Sequence, residues 1–134
     1  MGIAASLAAI AHAIAGRPAA LPDDVFARYP ELRKATWRRG GLPVRIGGWC
    51  LGRRSAAAIT LWHVIWLAPG GTPSDELLLH ELRHVDQFAA NAAFPFLYLW
   101  ESARQGYVRN RFEIDARDYA AQRCNSRRIP SSRG

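Results

Sequence analysis

The chain has 134 residues, of which 49% are hydrophobic and five are Trp. This is the length of a single domain with a modest core, and the apolar content argues against wholesale disorder. The formal net charge is +7, but the 18 basic side chains are scattered and form no nucleic-acid-binding motif. A nucleic-acid partner is therefore disfavoured, whereas contact with an anionic membrane surface is compatible with the charge.

The N-terminal stretch from Met1 to Ala15 carries no formal charge and predicts a helix. Ile3, Leu7, Ile10 and Ile14 recur at steps of four, three and four, which places them in one apolar stripe. No basic region precedes the stripe, as a signal peptide would require, and the stretch is too short to cross a bilayer. We predict a helix packed on the domain, with a membrane-surface helix or a cleaved leader as alternatives. The expected location is cytoplasmic or membrane-associated.

The next segments predict short elements. A short helix follows Pro22 and runs to Pro30, and the segment 31–39 is interpreted as a further short helix or a loop. The segment Leu42–Cys50 is predicted to be a strand, because Val44 and Ile46 alternate and two glycines follow.

The segment Ala57–Ala68 is rich in β-branched and aromatic residues and predicts one or two strands. If it forms a hairpin, Trp62 and His63 occupy the turn, which is unusual chemistry for a tight turn. His63 is interpreted as a strand or turn residue rather than a ligand. An exposed edge strand within Ile59–Leu67 would suit binding of an extended peptide by strand addition.

A long helix is predicted over 75–91, with Ser74 as its N-cap. Residues 92–100 are apolar and are interpreted as a buried connector or an interfacial patch. A further helix is predicted over Glu101–Arg123, followed by a mobile basic tail, Cys124–Gly134.

The predicted helix 75–91 contains the motif His80-Glu81-Leu82-Arg83-His84. Two His at i and i+4 lie on one helical face, so both imidazoles can bind the same metal ion. Glu81 then lies close enough to take a proton from a water bound to that ion. A catalytic zinc site usually has three protein ligands, and no His follows at the next motif positions.

A downstream carboxylate is therefore the expected third ligand, and the candidates are Glu113, Asp115 and Asp118. Glu113 is the best of them. It lies far enough after His84 to leave room for a connector and a returning helix. Ala116, three positions later, would let the two helices approach closely.

Two stretches carry a resemblance to a known family. Ala68-Pro69-Gly70 is followed by Leu78-Leu79-His80-Glu81-Leu82-Arg83-His84-Val85-Asp86-Gln87, and later by Asn110-x-x-Glu113-x-x-Ala116. The chain over about 42–123 resembles small gluzincin-type zincin domains, including minigluzincins and the peptidase-like core domains found with contractile injection systems. The resemblance implies that Glu113 is the third zinc ligand. The chain differs at Arg117, where many gluzincins have an Asp or Asn that orients a zinc-bound His, and Asp115 or Asp118 is the expected substitute.

The resulting hypothesis is a zinc-dependent metallopeptidase that acts on a peptide or protein substrate. His80, His84 and Glu113 would bind one Zn²⁺, and Glu81 would act as the general base. Tyr107 is a candidate donor to the oxyanion, although a packed aromatic role is the better interpretation. The alternative is a non-catalytic or latent zinc-binding interaction module.

The predicted fold class is α+β: a small mixed or antiparallel sheet packed on the motif helix and the glutamate helix. We expect an N-terminal helical segment over 1–41, a zincin-like core over 42–123 and the tail over 124–134.

Other side chains near the motif receive less specific interpretations. Arg83 and Asp86 are expected to face solvent, and Asn110 either hydrogen-bonds Glu113 or lies at the surface. Whether Cys50 and Cys124 pair, and whether the chain forms oligomers, is not determined by the sequence.

Overall fold

The computed structural model describes residues 2–50 and 56–128, and it gives an α+β fold with six described helices and a four-stranded mixed sheet. The backbone groups into two compact units, Met1–Pro73 and Ser74–Gly134. Among the described residues, the first unit contains the sheet and three α-helices, and the second unit contains the other three α-helices and no strand.

The N-terminal unit begins with α1 (Gly2–Ala15), as the apolar stripe predicts. Helix α2 (Asp23–Arg28) and a 3₁₀ turn (Pro30–Lys34) follow the short strand β1 (Arg17–Pro18). The segment 1–41 is therefore not only helical, because it contributes β1 and also β2 (Thr36–Arg39) to the sheet. Trp37 is buried in β2, and its indole N–H donates to the Leu32 carbonyl at 2.9 Å.

The predicted strand Leu42–Cys50 is wrong, since this segment is helix α3. The residues buried in α3 are Val44 and Gly48, four apart, which is the period of a helix face. Ile46, which suggested strand alternation with Val44, is 55% exposed. A Cβ on Gly47 would lie 2.6 Å from the Ile59 side chain, so the absent side chain at this position lets α3 approach the sheet closely.

The segment Ala57–Ala68 forms a hairpin of β3 (Ala58–Leu61) and β4 (Val64–Leu67). The turn lies at residues 62 and 63, and Trp62 adopts φ 54°, a conformation that non-glycine residues rarely adopt. The four described strands are ordered β1-β2-β4-β3, with β2 parallel to β4 and the other two pairs antiparallel. Strand β3 is therefore at one edge of the sheet, within the segment predicted to supply an edge strand.

The C-terminal unit contains α4 (Asp75–Ala90), α5 (Phe94–Gln105) and α6 (Arg111–Arg128). Ser74 caps α4 as predicted, since its hydroxyl accepts from the Leu77 N–H at 3.1 Å. The single helix predicted over Glu101–Arg123 is wrong. Helix α5 ends before Gly106, which has φ 77°, and the chain then forms a 3₁₀ turn, Tyr107–Arg109, before α6 begins.

The segment 92–100 was predicted to be a buried connector or an interfacial patch. It is not a buried connector, because most of it is the first half of α5, in which Phe94 is buried but Phe96, Leu99 and Trp100 are exposed. The interfacial patch stays a prediction. The tail was predicted to be mobile from Cys124, but α6 continues to Arg128, and residues 129–134 lie outside the described part of the chain. The side chain of Cys50 also lies outside it. Within residues 2–50 and 56–128, no helix is both long and apolar enough to cross a membrane.

Candidate metal centre

The candidate centre is built on two helices of the C-terminal unit, α4 and α6, which pack against each other. The helical period of α4 places His80 and His84 one turn apart on the same face, with ring centroids 4.9 Å apart and an interplanar angle of 81°. On α6, the buried face consists of Glu113, Ala116 and Ala120. The two alanines give α6 a face without large side chains next to the carboxylate, as the sequence predicts for Ala116.

Three potential ligand atoms converge at this interface. His80 Nε2 lies 3.0 Å from one Glu113 oxygen, His84 Nε2 lies 3.2 Å from the other, and the two Nε2 atoms are 3.2 Å apart. Two ligands bound to a tetrahedral zinc ion at about 2.0–2.1 Å are separated by roughly 3.3 Å. Among the described residues, this is the one group of His, Cys, Asp and Glu side chains that could hold a metal ion. The donor set and its spacing therefore fit zinc.

The His84 tautomer is fixed by Gln87, a residue for which the sequence predicted no role. The other ring nitrogen of His84, Nδ1, lies 2.8 Å from the Gln87 amide oxygen. An amide oxygen only accepts, so Nδ1 must carry the hydrogen and donate it. In neutral His84 the lone pair is consequently on Nε2, the atom that faces His80 and Glu113.

The orientation of the Gln87 amide is fixed in turn. Its nitrogen donates to the Phe112 carbonyl at 3.0 Å and to Asp115 Oδ2 at 2.8 Å, two groups that can only accept. Asp115 also accepts two hydrogen bonds from Arg83, at 2.7 and 3.2 Å. This ion pair, with the hydrogen bond from Gln87, holds the pKa of Asp115 below its usual value. Arg83 was expected to face solvent, but it links α4 to α6.

Asp115 is thereby connected to His84 through the Gln87 side chain. Asp118, the other candidate, is exposed on α6. Arg117 donates to the Val108 carbonyl at 2.6 Å and so ties α6 to the preceding 3₁₀ turn. The spacing of Gln87, three positions after His84 on the same helix face, is a sequence signal that could have identified it.

The electrostatics of the centre reflect the close approach of its groups. Burial alone would raise the pKa of Glu113, but hydrogen bonds from His80 and His84 outweigh it, and the pKa lies well below its usual value. For His84, burial lowers the pKa, while the Glu113 carboxylate and the charge of Glu81 raise it above its usual value overall. Glu81 is itself buried, with 7% of its surface exposed. In the absence of another cation, the centre therefore favours a proton on the His84 imidazole.

Tyr98 also contacts the centre, although the sequence did not predict it. Its hydroxyl donates to Glu113 at 2.6 Å, and burial together with this carboxylate raises the pKa of Tyr98 far above its usual value. The phenol therefore stays protonated and holds one Glu113 oxygen. Tyr98 is on α5 and its partner is on α6, so no local spacing in the sequence indicates the contact.

The predicted roles of Tyr107 and Asn110 change with the helix boundary. Tyr107 lies in the 3₁₀ turn rather than on the glutamate helix, and it is 47% exposed. Burial of the hydroxyl and the Glu113 charge raise the pKa of Tyr107, so the phenol lies close enough to the carboxylate to be affected by it. Asn110 is fully buried and not at the surface. Its amide nitrogen donates to Ser102 and to the Tyr98 carbonyl, and its oxygen accepts from the Phe112 N–H.

The remaining candidates lie outside the cluster of possible ligands. His63 is exposed at the hairpin turn of the N-terminal unit. Asp86 is partly exposed on α4. Comparisons of the chain with protein-family models, with curated proteins and with solved structures gave no match. The interpretation of the site therefore depends on its own geometry.

Replacing Gln87 is expected to weaken metal binding. Gln87→Leu removes the acceptor that fixes the His84 tautomer, and loss of such an outer contact typically lowers metal affinity about 10- to 100-fold. Chelator competition with a zinc indicator measures the change. Asp118→Asn on the exposed side of α6 is the matched control and should bind zinc like the wild type. Equal affinity in wild type and Gln87→Leu would show that Gln87 does not support the centre.

Proposed function

We propose that the C-terminal unit is a zinc-dependent metallopeptidase domain of the gluzincin type. In this proposal His80, His84 and Glu113 hold one Zn²⁺, and Glu81 is the general base. The observation that carries the proposal is the convergence of the two Nε2 atoms and the Glu113 carboxylate within 3.0–3.2 Å of one another.

The arrangement of these acceptor atoms supports a bound cation. With Nδ1 of His84 donating to Gln87, the lone pair of the neutral ring points toward His80 and the carboxylate. A proton can bridge only two of these acceptors at a time, whereas a metal ion binds all three. A bound cation would also neutralise the buried Glu113 carboxylate, whose charge is costly to bury unpaired. The type of donor set, two imidazoles and one carboxylate, is one that catalytic zinc sites use.

The HExxH arrangement supports hydrolysis rather than a purely structural site. A zinc ion at this position would supply a Lewis acid that lowers the pKa of a water ligand and polarises a carbonyl. Glu81 adjoins the first ligand His and its carboxylate is buried near the centre, so it would take the proton of the attacking water and pass it to the leaving amine. A purely structural site has no need of this carboxylate.

The two tyrosines would have different tasks. Tyr98 holds the Glu113 carboxylate through the 2.6 Å hydrogen bond and so positions a ligand. Tyr107 is partly exposed and protonated at neutral pH, and in the proposal it donates a hydrogen bond to the carbonyl oxygen of the scissile peptide as negative charge develops there.

The test combines metal analysis with peptide-library cleavage on the purified full chain. Wild type is expected to contain about one zinc per chain and to cleave peptides. Glu81→Gln should keep its zinc and lose at least about 100-fold in cleavage rate, because general-base catalysis typically contributes 10²–10⁴-fold. Glu113→Ala should lose both zinc and cleavage, while Asp118→Ala, on the same helix, should keep both.

The outcomes separate the alternatives. Zinc without any cleavage would favour a non-catalytic or latent zinc-binding module. Iron instead of zinc would exclude the peptidase proposal, because iron with two His and one carboxylate typically serves oxygen chemistry. A wild-type chain that binds no metal under zinc-replete conditions would exclude both.

A further inference from the structure

We propose that α1 and α3 of the N-terminal unit form a docking surface for an anionic phospholipid bilayer. The surface, called here the α1–α3 surface, consists of the exposed apolar side chains of the two neighbouring helices: Ile3, Leu7, Ile10, Ile14, Ile46 and Trp49. This inference concerns a different part of the chain from the metal centre and does not depend on it.

The apolar stripe of α1 was predicted to pack on the domain, and the structure contradicts that prediction. Every described residue of α1 is exposed, and the stripe residues are between 52% and 80% exposed. Trp49 on the adjacent α3 is also 80% exposed. Single exposed apolar residues are ordinary, but a cluster on two adjacent helices is typical of an interaction site.

Helix α1 is nevertheless held at its C-terminal end. The carbonyl of Ala15, its last residue, accepts hydrogen bonds from the Arg38 guanidinium at 2.5 Å and from the Trp66 indole at 2.8 Å. Arg38 also donates to the Gly16 carbonyl at 2.8 Å. The helix is thus fixed to the sheet by its C-terminal end, while its sides remain open to a partner.

The charge of the unit favours a bilayer over a second copy of the chain. Residues 1–73 include nine basic and three acidic side chains, and residues 32–74 contain no acid. Arg45 is exposed on α3, and a cleft at the base of α1 is lined in part by His12, Arg17 and Arg39. Two copies of so basic a unit would repel each other, whereas anionic headgroups are complementary to it.

The dimensions fit a helix that lies at the membrane surface. The α1 helix extends about 21 Å, which is shorter than the roughly 30 Å hydrocarbon core. An uncharged apolar helix beside basic side chains can bury its stripe at the boundary of headgroups and acyl chains. Trp49 is suited to the same depth, because an indole combines a large apolar ring with one polar N–H.

Flotation of the full chain with vesicles tests the proposal. Wild type should float with phosphatidylcholine vesicles that contain phosphatidylserine as the minor component, and binding should fall at least about 10-fold with pure phosphatidylcholine or at high salt. Leu7→Gln combined with Ile10→Gln should reduce binding at least about 10-fold, since Gln keeps helix propensity and removes apolar area. Arg17→Gln combined with Arg45→Gln should reduce binding to vesicles that contain phosphatidylserine and leave binding to pure phosphatidylcholine unchanged.

The matched control replaces two exposed apolar residues of the other unit, Phe96→Gln and Leu99→Gln, and should float like the wild type. An equal loss in this control would overturn the assignment to the α1–α3 surface. A wild-type chain that stays in the unbound fraction would overturn the proposal as a whole. A chain that fails to float but forms a dimer in analytical ultracentrifugation, lost in the Leu7 and Ile10 variant, would identify a second copy as the occupant and overturn the proposal.

Discussion

Chelation of the bound metal is expected to lower the free energy of unfolding of the C-terminal unit by about 4 kcal/mol, relative to protein held at free zinc about 1,000 times its dissociation constant. The reason is mass action, because in the proposed function zinc would bind the folded arrangement of His80, His84 and Glu113 and not the unfolded chain. In the metal-free protein only a proton remains to reduce the repulsion between these groups. Thermal unfolding followed by circular dichroism, with and without a chelator, measures the difference.

The control for this prediction is Glu113→Ala. It lacks one of the three converging groups, so its unfolding temperature should not respond to zinc or chelator. Asp118→Ala should respond like the wild type. If the wild type does not respond, or Glu113→Ala responds as strongly as the wild type, the predicted metal centre is not formed by these residues.

Gly41→Ala is expected to destabilise the N-terminal unit by about 3 kcal/mol or more. A Cβ at this position would lie 2.5 Å from the Gly16 nitrogen and 3.0 Å from the Ile14 carbonyl oxygen, both of which are backbone atoms that cannot rotate away. The φ of 94° adds strain for a residue with a side chain. Urea unfolding of wild type and variant measures the loss.

Gly40 supplies a matched comparison, because it also has a positive φ, 68°, but nothing lies within 4 Å of the position that a Cβ would take there. Gly40→Ala should therefore cost only the conformational strain, about 1 kcal/mol. The difference between the two variants isolates the close approach of Gly41 to the end of α1. Equal losses of unfolding free energy in the two variants would mean that backbone strain alone explains both.

The sequence predicted those elements whose signal is local. The N-terminal helix, the helix capped by Ser74 and the strands over 57–68 all have signals within a few residues, and the structure confirms these elements, although the stripe of α1 does not pack on the domain as predicted. The strand prediction for Leu42–Cys50 was wrong because two β-branched residues at alternate positions also occur in helices. Packing of Val44 and the glycine face decided for α3.

Strands β1 and β2 were missed for a related reason. They are too short to show alternation, and they form because β2 pairs with β4, which comes much later in the chain. A strand of this kind is stabilised by its neighbour rather than by its own sequence. The boundary between α5 and α6 was also missed. It lies at a single glycine with a positive φ, Gly106.

By itself the sequence determined that His80 and His84 share one face of a capped helix, with Glu81 beside them, because that arrangement needs only the helical period. The tertiary structure decided which carboxylate joins them. Glu113 lies on the buried face of α6, Asp115 is turned to Arg83 and Gln87, and Asp118 is exposed. The tertiary structure also places the Tyr98 hydroxyl on Glu113 and the Gln87 amide oxygen on His84 Nδ1. These contacts join side chains of separate helices, and the packing of the helices, not the spacing within any one of them, brings such groups together.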